Sequence, residues 1–392
     1  MSVSHRLWTP AFVGLSIANL ASSAIFYLLV PAMASYAVSA FGATPVEAGT
    51  LASIFFLGAL AARLVSGWAV EALGPRLLAR AAVTFYLVTT ILYLVAPTLG
   101  WTMLVRFWNG FGFGLLGSAL TSGVLMTVPP ARRSEGAGWF GVGVSLATGF
   151  GPYLALTLAA GPGGMRAVFA TAIGAASLSF ALLMVFGHGL PGRPATASDE
   201  SSVPRWRTLL ERRAMGMATV MLLGGFAYSA IRTYLDQATE QTPLAWAAGI
   251  FFLVYAAVVM VWRPFGGVLQ DRLGEPRILL PSYAAFAAAL LLVTLATTGW
   301  HLLAAAVLLG LGWGTVTTGG QAAVASRVPR ERTGAAVATY FFMLDLGTGV
   351  GPIVMGLIVD PVGYTGVFAL ATAVALLMAP VYLADLRRGM RP

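Results

Sequence analysis

The chain has no cysteine, no lysine and only three histidines among its 392 residues. Without cysteine there are no disulfides, thiolate nucleophiles or Cys-ligated metals. Without lysine there is no Schiff-base chemistry and no Walker-type phosphate-binding lysine. His5, His188 and His301 are too far apart in the chain to read as a metal cluster. Charge is scarce too: 9% of residues are charged and 58% are apolar, whereas soluble domains carry about 25% charged residues. That composition excludes a soluble enzyme with a watery surface, and it excludes disorder. What remains is an all-α integral membrane protein with many spans.

A helix needs about 20 mostly apolar residues to cross a bilayer. Twelve such segments are present, at 8–32, 46–67, 79–97, 101–125, 136–160, 165–187, 214–236, 244–265, 278–298, 301–325, 335–359 and 364–385. The first is too long for the apolar core of a cleaved signal peptide, although Ala32-Met33-Ala34 is a weak cleavage-like match. The connections are short, except for a polar central loop at 188–213 that holds Asp199, Glu200, Ser201, Ser202 and five arginines.

The net charge of +9 follows a topological rule. With a cytoplasmic N-terminus, twenty of the 23 arginines fall on the cytoplasmic side, Arg63 and Arg263 among them. Arg166 falls outside, and Arg106 and Arg232 lie within spans. The positive-inside rule therefore places both termini in the cytoplasm, in a cell inner (plasma) membrane, and the basic charge needs no nucleic-acid partner.

The two halves align two hundred residues apart. Arg63, Gly67, Glu71 and Gly74 match Arg263, Gly267, Asp271 and Gly274. Gly110, Gly112 and Gly114 match Gly310, Gly312 and Gly314, while Val128-Pro129 and Arg132 match Val328-Pro329 and Arg332. Gly151-Pro152 matches Gly351-Pro352. Five clusters in one register mark a duplicated six-helix unit. The expected organisation is an N-terminal bundle at 1–187, the central loop at 188–213 and a C-terminal bundle at 214–392. Parallel repeats of this kind are a transporter architecture, with the substrate site near the midplane between the halves.

Gly267-Val268-Leu269-Gln270-Asp271-Arg272-Leu273-Gly274 resembles the cytoplasmic loop motif of the major facilitator superfamily, and Gly67 to Arg76 is its partner in the first half. The first copy departs from the family pattern, with Glu71 in place of the usual aspartate and Ala72 in place of a basic residue. The resemblance implies twelve helices in two pseudo-symmetric six-helix bundles. It also implies a cytoplasmic gate built from Gly67, Glu71, Gly74, Arg76, Gly267, Asp271, Arg272, Gly274 and Arg277. An acid at a helix end can accept hydrogen bonds from arginines or from a neighbouring helix N-terminus. Arg76, Arg80 and Arg277 also fit plain topology anchors.

Two further resemblances concern helices 4 and 5. Gly141, Gly143, Gly149, Gly151 and Pro152 resemble the antiporter motif of drug–proton exchangers, although Tyr153, Leu154 and Ala155 stand where that motif continues with glycines. Gly151, Pro152, Gly351 and Pro352 are thus candidate hinges in helices 5 and 11, and ordinary small-residue packing is the alternative. Arg106-Phe107-Trp108-Asn109-Gly110 resembles a helix-4 motif whose arginine serves proton coupling or arranges the binding site. Snorkelling of Arg106 to the outer interface is the competing reading. Gly112-x-Gly114-x-x-Gly117 matches a dinucleotide fingerprint in form only, because it sits inside a span.

Asp345 stands near the middle of helix 11, where burial suits a proton carrier. A fixed partner of Arg232 or of a hydroxyl is the alternative, and Arg232 has its own candidate partner in Asp236, one turn away. Asn19, Asn109 and Gln321 are candidate cavity amides, with Ser16, Ser22 and Ser23 near Asn19. Tyr27, Phe226, Tyr228, Tyr340 and Phe341 are candidate apolar walls.

The resemblance implies a secondary active transporter, a monomer in the lipid bilayer that exports a small amphipathic molecule by alternating access. It needs no cofactor, because the proton gradient is the energy source. One alternative is a proton-coupled uptake symporter for a sugar, organic acid or peptide. The other is a membrane-embedded enzyme or receptor. No HxxxxD or Ser/His/Asp arrangement supports an enzyme.

Overall fold

The structure, a computed structural model, describes residues 7–192, 210–239 and 241–389. The side chains of Pro152 and Asp236 also fall outside the described set. So do His5, Arg6, Arg193, Asp199, Glu200, Arg205, Arg207 and Arg391, and with them most of the central loop.

All regular structure among the described residues is helical. The first half carries α1 (Pro10–Phe41), α2 (Pro45–Leu73), α3 (Pro75–Ile91), α4 (Leu99–Thr127), α5 (Arg133–Ala160) and α6 (Gly164–Phe186). The second half carries α7 (Met215–Thr239), α8 (Ala245–Leu273), α9 (Glu275–Thr294) and α10 (Gly299–Ser326). It closes with α11 (Thr333–Leu376) and α12 (Met378–Gly389). These helices supply 12 stretches long and apolar enough to cross a membrane. Most of the eleventh and the first part of the twelfth run on as the 44-residue α11, whose one residue of non-helical backbone is Gly363, where φ is 69° and ψ 177°. Several helices outrun the expected spans. α2, for instance, continues to Leu73 where the apolar run ends at 67.

Local chemistry sets the helix starts. Thr9 and Thr44 cap α1 and α2 ahead of a proline that has no amide to satisfy. At α2 the cap is reciprocal: the Glu47 amide donates to Thr44 Oγ1 at 3.4 Å, and the Thr44 amide donates to Glu47 Oε2 at 2.9 Å. Thr98 and Thr298 cap α4 and α10, the same place in the two repeats. Gly74 and Gly274 turn the chain between α2 and α3 and between α8 and α9 at φ of 78° and 90°, which a Cβ disfavours.

The chain separates into two compact units that are not simple halves. One comprises Met1–Pro129, Phe140–Leu210 and Pro329–Ala338. The other comprises Pro130–Trp139, Glu211–Val328 and Thr339–Pro392. The first turns of α5 thus belong with the second repeat, and those of α11 with the first. In the first unit α2 packs on α4, α3 on α4 and α1 on α6, around buried Leu15, Ile25, Leu29, Leu116 and Leu183. In the second unit α8 and α9 pack on α10, and α7 on α12. Glycines set the closest crossings, where a Cβ on Gly58 would stand 1.9 Å from the Phe107 carbonyl oxygen.

Candidate functional site

The two copies of the loop motif make different bonds. In the second unit Asp271, the last-turn acid of α8, takes the head of α5. Oδ1 accepts from the Ser134 amide at 3.0 Å and Oδ2 from the Glu135 amide at 2.8 Å. These amides are among the four that every helix start leaves unpaired, so a carboxylate there gains both hydrogen bonds and the helix field. Arg132 grips Glu135 beside it through two bonds of 2.7 and 2.6 Å. Arg132, Glu135, Asp271 and Arg272 line a cavity of about 380 Å³. In the first unit Glu71 accepts from Arg332 at 3.0 Å. The motif glycines permit both approaches. A Cβ on Gly67 would stand 2.8 Å from the Ala335 Cα, and one on Gly267 would stand 2.3 Å from the Ser134 carbonyl oxygen.

The remaining motif arginines are not drawn into these pairs. Arg272 and Arg277 are exposed. Arg76 holds the end of the first repeat, donating to the Leu190 carbonyl at 2.9 Å and the His188 carbonyl at 2.6 Å. It borders a cavity of about 530 Å³ that Glu71, Arg330 and Glu331 also line.

Arg63 and Arg263, counted on the cytoplasmic side by charge alone, are both buried. Arg63 donates to the Gly114 carbonyl at 3.1 Å and to Ser118 Oγ at 2.9 Å. Arg263 donates to the Gly314 carbonyl at 3.3 Å and to Thr317 Oγ1 at 3.0 Å. Each turns inward because a side-chain-free glycine exposes a carbonyl on the facing helix. Arg327, also counted on the cytoplasmic side, binds both Glu275 and Asp385, and the Tyr382 hydroxyl donates to Glu275 at 2.8 Å. This cluster ties α12 to α9, and no local sequence signal marks it. The Arg63 and Arg263 staples do have one, the coincidence of Arg63 with Arg263 and of Gly114 with Gly314 in a single repeat register.

Arg106 lies inside the first unit, 0% exposed, with the Phe55 ring 4.7 Å from its guanidinium carbon and Tyr86 and Tyr93 in electrostatic range. It does not snorkel. Asn109, one turn on, donates to Thr89 and Thr90 at 3.1 Å each. An unpaired buried charge costs several kcal/mol, roughly 3 or more, so this arginine demands an explanation.

The other candidates sit on α1, α7, α10 and α11. Asn19 donates to the Phe140 carbonyl at 3.3 Å and so ties α1 to α5. Gln321 and Asp345 are half-buried in α10 and α11, and Arg232 is exposed on α7. Tyr340 is not an open wall: it is fully buried, with its hydroxyl on the Thr317 carbonyl at 2.8 Å. The glycines of helices 5 and 11 serve close packing. A Cβ on Gly151 would stand 2.5 Å from Tyr27 Cβ, and one on Gly351 would stand 2.1 Å from Ser229 Oγ. Pro352 presents its carbonyl to the Tyr234 hydroxyl at 2.6 Å.

Twelve crossings, a repeated six-helix pattern and paired loop motifs define a multi-pass membrane transporter. The chain belongs to the major facilitator superfamily, whose family model matches residues 15–264 and 237–391. It is 31% identical over 176 residues to the multidrug resistance protein MdtG of Escherichia coli, in strains K12 / DH10B and O1:K1 / APEC. That alignment covers 43% of this chain and 43% of MdtG, so the match spans less than half the length of these curated relatives. Among solved structures, the human organic anion transporter MFSD10 (TETRAN) superposes with a TM-score of 0.78 at 17% identity, over 96% of this chain and 100% of that one. The transporter FucP in its outward conformation gives 0.73 at 16%, over 99% and 100%. At these identities the two likenesses concern the fold.

Proposed function

We propose that the protein is a proton-coupled exporter of a small amphipathic molecule, working by alternating access in the cell inner membrane with both termini cytoplasmic. The observation that carries this reading is the 31% identity to a multidrug resistance protein. The glycine and proline run of α5 supports it. In this reading Asp345 takes up the proton, because it is the one acid in the middle of a span. Arg106, Asn109, Arg232, Asn19 and Gln321 serve coupling or the substrate. Asp271 and Glu71, with Arg332, form the cytoplasmic gate, and Gly151-Pro152 and Gly351-Pro352 let α5 and α11 flex. No cofactor takes part, and the proton gradient drives transport.

Everted vesicles carrying a dye-reported proton gradient test this against a panel of amphipathic compounds. An exported compound collapses the gradient on addition, and Asp345→Asn abolishes the response. Full gradient-driven transport in Asp345→Asn removes the coupling assignment. Accumulation by intact cells, accelerated by an inward proton flux, replaces export with uptake.

A further inference from the structure

The duplication supplies an internal control for Arg106. Each position of the first repeat has its counterpart two hundred residues on. Thr89, Thr90, Tyr93, Arg106 and Asn109 correspond to Ala289, Leu290, Val293, Ala306 and Leu309. All five counterparts are buried, so the second repeat fills this place with hydrocarbon. The scaffold therefore needs no charge here, and the polar cluster of the first repeat is there for another reason.

The cluster is also short of partners. Beyond the interaction of Tyr93 with Arg106 itself, the Nε, Nη1 and Nη2 of Arg106, the hydroxyl of Tyr93 and the Oδ1 of Asn109 are buried without a hydrogen-bond partner among the described residues. No carboxylate of the surrounding helices can answer the charge. α1, α3, α4 and α6 contain neither Asp nor Glu. The two acids of α2 stand at its ends: at 1.5 Å per residue Glu47 is about 12 Å before Phe55 and Glu71 about 24 Å after it. A guanidinium offers five donors and accepts nothing, so its complement is an anion. The Phe55 ring now covers it through a cation–π contact, a weak stand-in for a negative group.

We propose that Arg106, with the Tyr93 hydroxyl as second donor, forms a site for one singly charged anionic group, which displaces the Phe55 ring on binding. The group is either a free inorganic anion or the carboxylate of the transported solute. Only the second source rests on the export reading.

The test uses the purified full chain and its thermal unfolding midpoint, at ionic strength held with sodium sulfate. Sodium chloride, sodium benzoate and uncharged benzamide are titrated separately. Saturable stabilisation by chloride or benzoate, absent with benzamide, is expected in the wild type and in Arg166→Gln, which alters an exposed arginine of α6. Arg106→Gln loses the response. Tyr93→Phe, which covers the case that Arg106→Gln fails to fold, needs roughly tenfold more anion for half-saturation. Chloride alone sufficing identifies an inorganic ion, and a response to benzoate only identifies the solute's carboxylate. The proposal is overturned if neither anion stabilises the wild type, or if folded Arg106→Gln or Tyr93→Phe responds as the wild type does. Loss of export in vesicles with this response intact refutes the export reading alone.

Discussion

Replacing Asp271 by alanine opens the first turn of α5. The carboxylate holds the Ser134 and Glu135 amides at 3.0 and 2.8 Å. A hydrogen bond to a charged acceptor contributes about 1.5–3 kcal/mol, and the helix-end field adds roughly 0.5. Asp271 is only partly buried. Water therefore recovers part of the loss, leaving on the order of 3 kcal/mol for the pair. That corresponds to about 100-fold in the opening equilibrium of this turn. Hydrogen–deuterium exchange resolved to single amides measures it. Ser134 and Glu135 exchange on the order of 100-fold faster in Asp271→Ala, and Asp271→Asn falls between, since it keeps one carbonyl oxygen without the charge. The amides of Gly334 and Ala335, at the head of α11 in the other unit, keep their wild-type rates. A folded Asp271→Ala protein with unchanged exchange at both α5 amides refutes the assignment of Asp271 as the cap of this helix.

Two other outcomes follow from local geometry. Gly274→Ala forces a Cβ onto a backbone at φ 90° and lowers stability by about 1–2 kcal/mol. Gly249→Ala, in open space on helical α8, costs nothing and gains up to about 1 kcal/mol; the unfolding midpoints of the two variants move in opposite directions. Hydrogen bonds from the amide and hydroxyl of Thr44 hold the Glu47 carboxyl below the usual carboxylate range. Its contribution is complete above the unfolded-state value and is lost as pH falls through the lowered folded-state value. Protection of the amides at the head of α2, taken relative to their intrinsic exchange rates, therefore falls on acidification below the ordinary glutamate range, and Glu47→Gln flattens that pH dependence.

The twelve crossings are legible in the chain because lipid demands long apolar runs, and the duplication is legible because glycines and prolines keep their register. Helix ends are less so. α2 and α8 carry their polar last turns past the apolar run to the glycine that stops them. The direction of an arginine is not written in hydropathy. Arg63 has a stem long enough to reach either water or Gly114, and only the facing carbonyl decides between them. Asp271 was legible as an acid that takes a helix start or an arginine. That it takes the start of α5 while Glu71 takes Arg332 depends on tertiary geometry. The isolation of Arg106 is partly legible, since α1, α3, α4 and α6 lack acids and the two of α2 stand at its ends. Its seal beneath Phe55 becomes visible only once α2 and α4 are packed.

Gly363, the one residue of non-helical backbone inside α11, leaves the join between the last two crossings with almost no slack. Beyond it Val367, Phe368, Ala371, Ala375, Met378 and Tyr382 form one inward stripe. One amino acid inserted after Gly363 would turn everything downstream by about 100°. The stripe would then face acyl chains, and Tyr382 and Asp385 would swing off Glu275 and Arg327. Epitope tags and protease sites for mapping the topology of this molecule therefore belong in the 188–213 connection, not at this corner.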